Sequence, residues 1–171
     1  MVCDSDIAEL SHKELFCLDD DLYVSLVAGN ISASGNLLDT DRKGNFSAFY
    51  NTVLEILRLC NTDVHPSKIH LVLNWENLLQ LAIWSIQSPA KTDIINILAA
   101  AGLDTNELEK IKSLDAKDMF AYLMHRKRFD IFRRICHSAK RRLRSHIADK
   151  SIQIVCYIVS PATKRIVASS L

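Results

Sequence analysis

The sequence predicts a mainly α-helical chain of stacked antiparallel helix pairs that ends in a small β-hairpin. Three observations carry this reading. From residue 46 to residue 147 apolar residues recur at i, i+3 and i+4, with Asn, Asp, Pro and Gly where helices start and stop. Beyond residue 150 the apolar period shortens to two, as in a strand. The composition, 49% apolar and 24% charged with four Gly and three Pro in 171 residues, supplies one core and too little punctuation for disorder or low-complexity linkers. The chain therefore reads as a single domain over 1–171. It comprises acidic N-terminal helices and a loop over 1–40, a helical body over 41–147 and a hairpin extension over 148–171.

The elements follow in order. The first 21 residues hold seven acids and one Lys. Ser11-His12-Lys13-Glu14 has the capping-box form and predicts a short helix. Leu22 to Ala28 predicts a second, stopped by Gly29-Asn30. Ile31 to Asn45, rich in Ser, Asn, Asp and Gly, reads as a loop. Phe49, Val53, Ile56, Leu57 and Cys60 then share one helical face, and Pro66 suits the first turn of a short helix. Asn74 or Asn77 caps the next helix, whose face is Leu78, Leu81, Ala82, Ser85 and Ile86 and whose end lies near Ser88-Pro89. Thr92 is expected to cap Asp93 to Ala101, with Gly102 as the left-handed stop. Asp115 or Asp118 starts a helix to about His125, and a further one covers Phe129 to roughly Ile147. Ile152, Ile154, Cys156 and Ile158 alternate as a strand; Ser160 to Thr163 turn, and Arg165 to Ala168 return.

Two of these segments share a pattern. Leu79 to Ile83, followed by Asp93-Ile94-Ile95-Asn96-Ile97-Leu98-Ala99-Ala100-Ala101-Gly102-Leu103-Asp104-Thr105-Asn106, resembles the ankyrin repeat. Its second helix and exit commonly read E-I-V-K-L-L-L-x-x-G-A-D-V-N. Phe120 to Met124 with Asp130 to Cys136 is similar to a second copy. Ile94 and Ile131 lie 37 residues apart, against a period of about 33. Asp41-Arg42-Lys43-Gly44-Asn45 with Glu55 to Cys60 resembles a third copy, and Leu22 to Ile31 the remnant of a fourth. The T-P-L-H tetrapeptide is absent; Asn77-Leu78-Leu79-Gln80 and Asp118-Met119-Phe120-Ala121 stand in its place. The resemblance implies ankyrin-like repeats over 41–147 and a protein-binding module, because stacked helix pairs present a long surface with variable turns. A small stand-alone member suits an inhibitor or adaptor; viral and pathogen proteins that imitate inhibitors of host signalling are one such group.

The net charge of +1 hides a division. Arg126 to Arg144 holds nine Lys or Arg residues and one acid, Asp130, for a local +8, which leaves −7 on the rest. Such a block attracts acidic protein surfaces or phosphate backbones. As a solvated helix face it would bury Phe129, Phe132, Ile135 and Cys136. Lys140-Arg141-Arg142-Leu143-Arg144 also has the form of a nuclear-localisation patch.

Chemical signatures are sparse. The cysteines, Cys3, Cys17, Cys60, Cys136 and Cys156, are odd in number and form no C-x-x-C pair, which points away from disulfides and zinc. Cys60, His65 and His70, and Cys136 beside His137, read as buried thiols and surface imidazoles. No phosphate loop, dinucleotide fingerprint, zinc-protease motif or nucleophile elbow occurs. Ser169-Ser170-Leu171 matches the peroxisomal address at its first and last positions only. No stretch reaches the roughly 18 apolar residues of a membrane span, and the start lacks signal-peptide character.

The expected protein is thus a soluble, non-enzymatic interaction module with no cofactor, metal, membrane or small-molecule substrate. It would be cytoplasmic or nuclear, and its partner an intracellular, host-signalling type of protein with an acidic surface. The expected contact residues are Leu114, Asp115, Lys117, Arg126, Lys127, Arg133 and Arg134. The alternative is a nucleic-acid-binding helical protein using Arg126, Arg128, Arg133, Arg134, Lys140, Arg141, Arg142 and Arg144. A Cys–His enzyme is a distant third reading.

Overall fold

A five-stranded sheet forms one layer of the molecule, and the helices pack on it or on one another. The computed structural model describes residues 13–18, 21–26, 48–61 and 66–171. Strands β1 (Lys13–Leu18) and β2 (Asp21–Leu26) precede helix α1 (Ala48–Cys60) and strand β3 (Lys68–Leu73). Five helices follow: α2 (Trp75–Ile83), α3 (Lys91–Ala100), α4 (Thr105–Ile111), α5 (Ala116–His125) and α6 (Phe129–Ser145). Strands β4 (Gln153–Val159) and β5 (Ile166–Ser169) close the chain. The described residues are thus mainly helical, as expected, but strands are more numerous than expected.

The spatial order is β2-β1-β3-β4-β5. β1 pairs antiparallel with β2, and β3 lies parallel to both β1 and β4. β4 and β5 form the expected antiparallel hairpin. That hairpin is not an appendage to an all-helical body, because β4 is an interior strand with Ile69 opposite Ile154 and Leu71 opposite Cys156.

Three expected helices are therefore strands. The run after Pro66 alternates the half-buried Lys68 and Val72 with the fully buried Ile69, Leu71 and Leu73, and His70 between them is buried as well. The apolar period of two suits an interior strand of a sheet. The runs 13–18 and 21–26, expected as helices at Ser11–Glu14 and Leu22–Ala28, pair from Lys13 opposite Leu26 to Leu18 opposite Asp21. Two residues between the strands is the commonest hairpin spacing. The expected loop at 31–45, including the repeat-like turn at 41–45, lies outside the described residues.

The helical forecasts fare better. Asn74 caps α2 by accepting from the Asn77 amide at 2.8 Å, and Asp115 caps α5 by accepting from Asp118 at 2.8 Å. Gly102 takes the left-handed conformation at φ 99°. α2 stops earlier than Ser88-Pro89, because Trp84 turns left-handed at φ 64°. The buried Gln80 amide then holds the exit by donating to the Ser85 and Ile86 carbonyls. α3 begins at Lys91 after Ala90, so Thr92 lies inside the helix and is not its cap. Helix α4 was not anticipated: Asp104 and Glu107 form a capping box on residues that resemble a repeat exit.

The core joins these layers. α6 lies over β4 and β5, α2 touches β3 and β4, and α2 and α6 pack closely along each other. Between them Trp75 of α2 meets Phe132 of α6 edge-on at 5.4 Å, and Phe120 of α5 lies 5.1 Å from Phe132. Such aromatic pairs add about 0.5–1.5 kcal/mol each beyond area burial. This cluster fixes which face of α6 points inward.

Candidate interaction surface

α6 is the element that arranges the basic residues. Ile131, Phe132, Ile135, Cys136, Ala139 and Leu143 form its buried face, and the 3.6-residue period places Arg133, His137 and Arg141 opposite. The turn leading into it is tightly defined. The Lys127 amide donates to Met124 O and the Arg128 amide to Leu123 O, both at 3.0 Å. Lys127 itself is left-handed at φ 54°, where glycine is usual.

Arg128 locks this turn to the rest of the helical body. Its Nε and Nη2 donate to the two carboxylate oxygens of Asp130 at 3.0 and 3.1 Å. Its Nη1 pairs with Glu107 of α4, and Nη2 also donates to the Gly102 carbonyl at 3.3 Å. Hydrogen bonding from Arg128 holds the Asp130 carboxyl below its ordinary value of 3.8, and both partners raise the guanidinium.

Other basic side chains are also committed internally. Arg134 Nη1 donates to the Ala101 carbonyl at 2.7 Å, and Lys140 to Ser170 O at 3.2 Å. Arg144 gathers the carbonyls of Asp149, Lys150 and Ile152, while Lys150 Nζ returns to the carbonyls of Arg144 and Ile147. Of the expected nucleic-acid set, Arg128, Arg134, Lys140 and Arg144 therefore serve the fold. Arg126, Arg133, Arg141 and Arg142 remain exposed, as does Lys127. Arg126 lies 5.8 Å from the Tyr122 ring centroid, and Arg141 reaches Ser138 Oγ at 3.4 Å. Among the described residues none of these five is paired with a carboxylate.

The expected protein-contact set divides. Leu114 is half-buried against the core, and Asp115 is engaged as a cap. Lys117 is exposed at the N-terminal end of α5. Arg126 and Lys127 follow its C-terminal end, about 15 Å away along a ten-residue helix. The structure brings Arg126, Lys127 and Arg133 to one end of α6 and leaves Lys117 apart.

Two aromatic features escaped the sequence reading. Phe129, expected in the core, is 44% exposed at the start of α6. It lies four residues before Arg133, so helical spacing places it beside that cation, and this was the available signal. At the other end, His146 stacks on Trp84 with centroids 4.0 Å apart and planes 7° off parallel.

The thiols behave as small core residues. Cys60, Cys136 and Cys156 are buried. Burial pushes the Cys60 thiol up to about 12, with Asp149 adding to it, and burial also lifts Cys136 to about 12. Neither is a thiolate at neutral pH. Among the described residues no three His, Cys, Asp or Glu converge as metal ligands, and no helix is long and apolar enough to cross a membrane. Comparison with protein-family models, with curated proteins and with solved structures finds no match to this chain.

Proposed function

We propose that the chain is a non-enzymatic protein–protein interaction module, an inhibitor or adaptor that acts on an intracellular partner with an acidic surface. The observation that carries this is the Arg128-locked turn. It holds Arg126 and Lys127 outward on backbone that is already fixed, so binding orders little that is not ordered beforehand. A left-handed Lys127 persists because Arg128 and the two turn hydrogen bonds hold it, and such conformations cluster at functional positions. Arg133 borders this surface.

The repeat-like packing belongs to the same proposal. α2 packs on α3, α5 on α6, and α2 on both α5 and α6. Those contacts support two degenerate ankyrin-like units, with the sheet laid against their flank. Variable turns are where such units meet partners.

The double substitution R126E/K127E tests the contact surface. Both side chains are exposed, so the variant is expected to fold with an unchanged far-UV spectrum and melting temperature. Quantitative cross-linking in lysate should lose the proteins captured by the native chain. Capture that is undiminished by the reversed charges would place the interaction elsewhere.

A further inference from the structure

We propose that the outer face of α6 is a binding site for single-stranded nucleic acid, made of Phe129, Arg133, His137 and Arg141. This surface adjoins the α5–α6 turn, with Arg133 at the border of both, and does not depend on the protein-binding role assigned to Arg126 and Lys127. Arg133, His137 and Arg141 stand four residues apart in a row, about 6 Å from one to the next along the axis. The helix's one acid, Asp130, is neutralised by Arg128, and among the described residues neither Arg133 nor Arg141 has an acidic partner. Two exposed guanidinium groups in one row, with the half-buried imidazole of His137 between them and no internal counter-charge, make an electrostatic footprint that suits a phosphodiester backbone.

Phe129 selects the single strand. Exposed at the N-terminal end of the row, it is an unsupported apolar ring among charges, and a ring there contributes only if something planar covers it. An unpaired base does so while its phosphates run along the arginines. A duplex keeps its bases stacked inside and offers Phe129 nothing. An acidic peptide satisfies the cations but gives the ring no specific partner.

The test is fluorescence anisotropy on the full chain. The probes are labelled oligo-uridine and oligo-deoxythymidine of about 12 nucleotides, within the usual footprint of such sites. A DNA duplex of equal length and an oligo-glutamate peptide accompany them. With two phosphates neutralised, log Kd against log salt should have a slope of about 1.4 in magnitude, near 0.7 for each contact on a single strand. R141A should cut that slope to about 0.7. F129A should weaken binding about five-fold or more and leave the slope unchanged. All the substituted side chains are exposed, and melting curves of each variant verify folding. Failure of either oligomer to bind at low salt would overturn the proposal. So would duplex or oligo-glutamate binding as tight as the single strand, or an F129A variant that binds as well as the native chain. The oligo-glutamate outcome would give the face to an acidic protein.

Discussion

The basic segment turns some of its guanidinium groups inward, at Arg128, Arg134 and Arg144, and turns others out, at Arg133, Arg141 and Arg142. Arg128 joins α6 to α4 and the α3 exit through Glu107, Asp130 and the Gly102 carbonyl. Arg144 gathers three carbonyls of the loop that leads into β4. Between them Arg133, Arg141 and Arg142 touch no carboxylate among the described residues. The same residue type thus does opposite work a few turns apart. A guanidinium with five donors can close a loop that lacks its own backbone partners. The charge that is legible in a sequence is consequently larger than the charge a ligand meets.

The largest effects should come from the inward-turned Arg144. Without it, the carbonyl of Ile152, itself a buried residue, loses a 2.7 Å charged donor, and two more carbonyls lose theirs. R144A is expected to destabilise the chain by about 2–3 kcal/mol, since hydrogen bonds to charged groups contribute about 1.5–3 kcal/mol each and water replaces part of them. Urea melts followed by circular dichroism measure this. A loss under about 0.5 kcal/mol would mean that Lys150 alone holds the loop.

Arg128 should rank next, at about 1–2 kcal/mol for R128A, because its pairs are partly exposed and solvent screens them. It also adds a pH signature. Asp130 is held below its ordinary 3.8 in the folded chain, so between those values the unfolded state binds more protons. That contribution is fully present above 3.8 and is lost as pH falls through the lower folded value. In R128A the same acid limb should flatten. An unchanged acid limb in the variant would remove Asp130 from this account.

Gly102 comes third and depends on the same anchoring. At φ 99° an added side chain is strained, and its Cβ would meet the Arg134 guanidinium. G102A should cost about 1–2 kcal/mol. The double variant G102A/R134A should cost less than the sum of its parts if the contact is real.

These anchors explain what the sequence could and could not disclose. α5 and α6 were legible because Asp115 caps one and the other carries a sustained amphipathic stripe, both of which are local signals. β4 was legible from Ile152, Ile154, Cys156 and Ile158. β1, β2 and β3 were not, since six-residue apolar runs fit a helix or a strand equally well. What decides them is pairing, as between Ile69 and Ile154, that no local window contains. α4 was hidden by a capping box whose Asp104 also suited a repeat exit. At the site, all nine cations could be counted, but not their employment. Glu107 lies 21 residues before Arg128, and the carbonyls of Ala101 and Gly102 have no side-chain signature at all. Phe129 is the exception, being misplaced although its spacing to Arg133 was in view.

The smallest stability effect should separate the two classes of arginine most cleanly. R133A/R141A/R142A removes three charges from the outward face, yet each side chain is exposed and none closes a loop. Exposed substitutions of this kind usually stay within about 0.5 kcal/mol. Relief of repulsion among neighbouring cations could even raise the melting point slightly. R128A or R144A changes the net charge by only one unit and should destabilise more than all three together. If the triple variant unfolds as readily as R144A, the outward arginines carry structural contacts after all. If it melts with the native chain while its affinity for the uridine oligomer falls away, the outward arginines are reserved for a ligand and the inward ones for the fold.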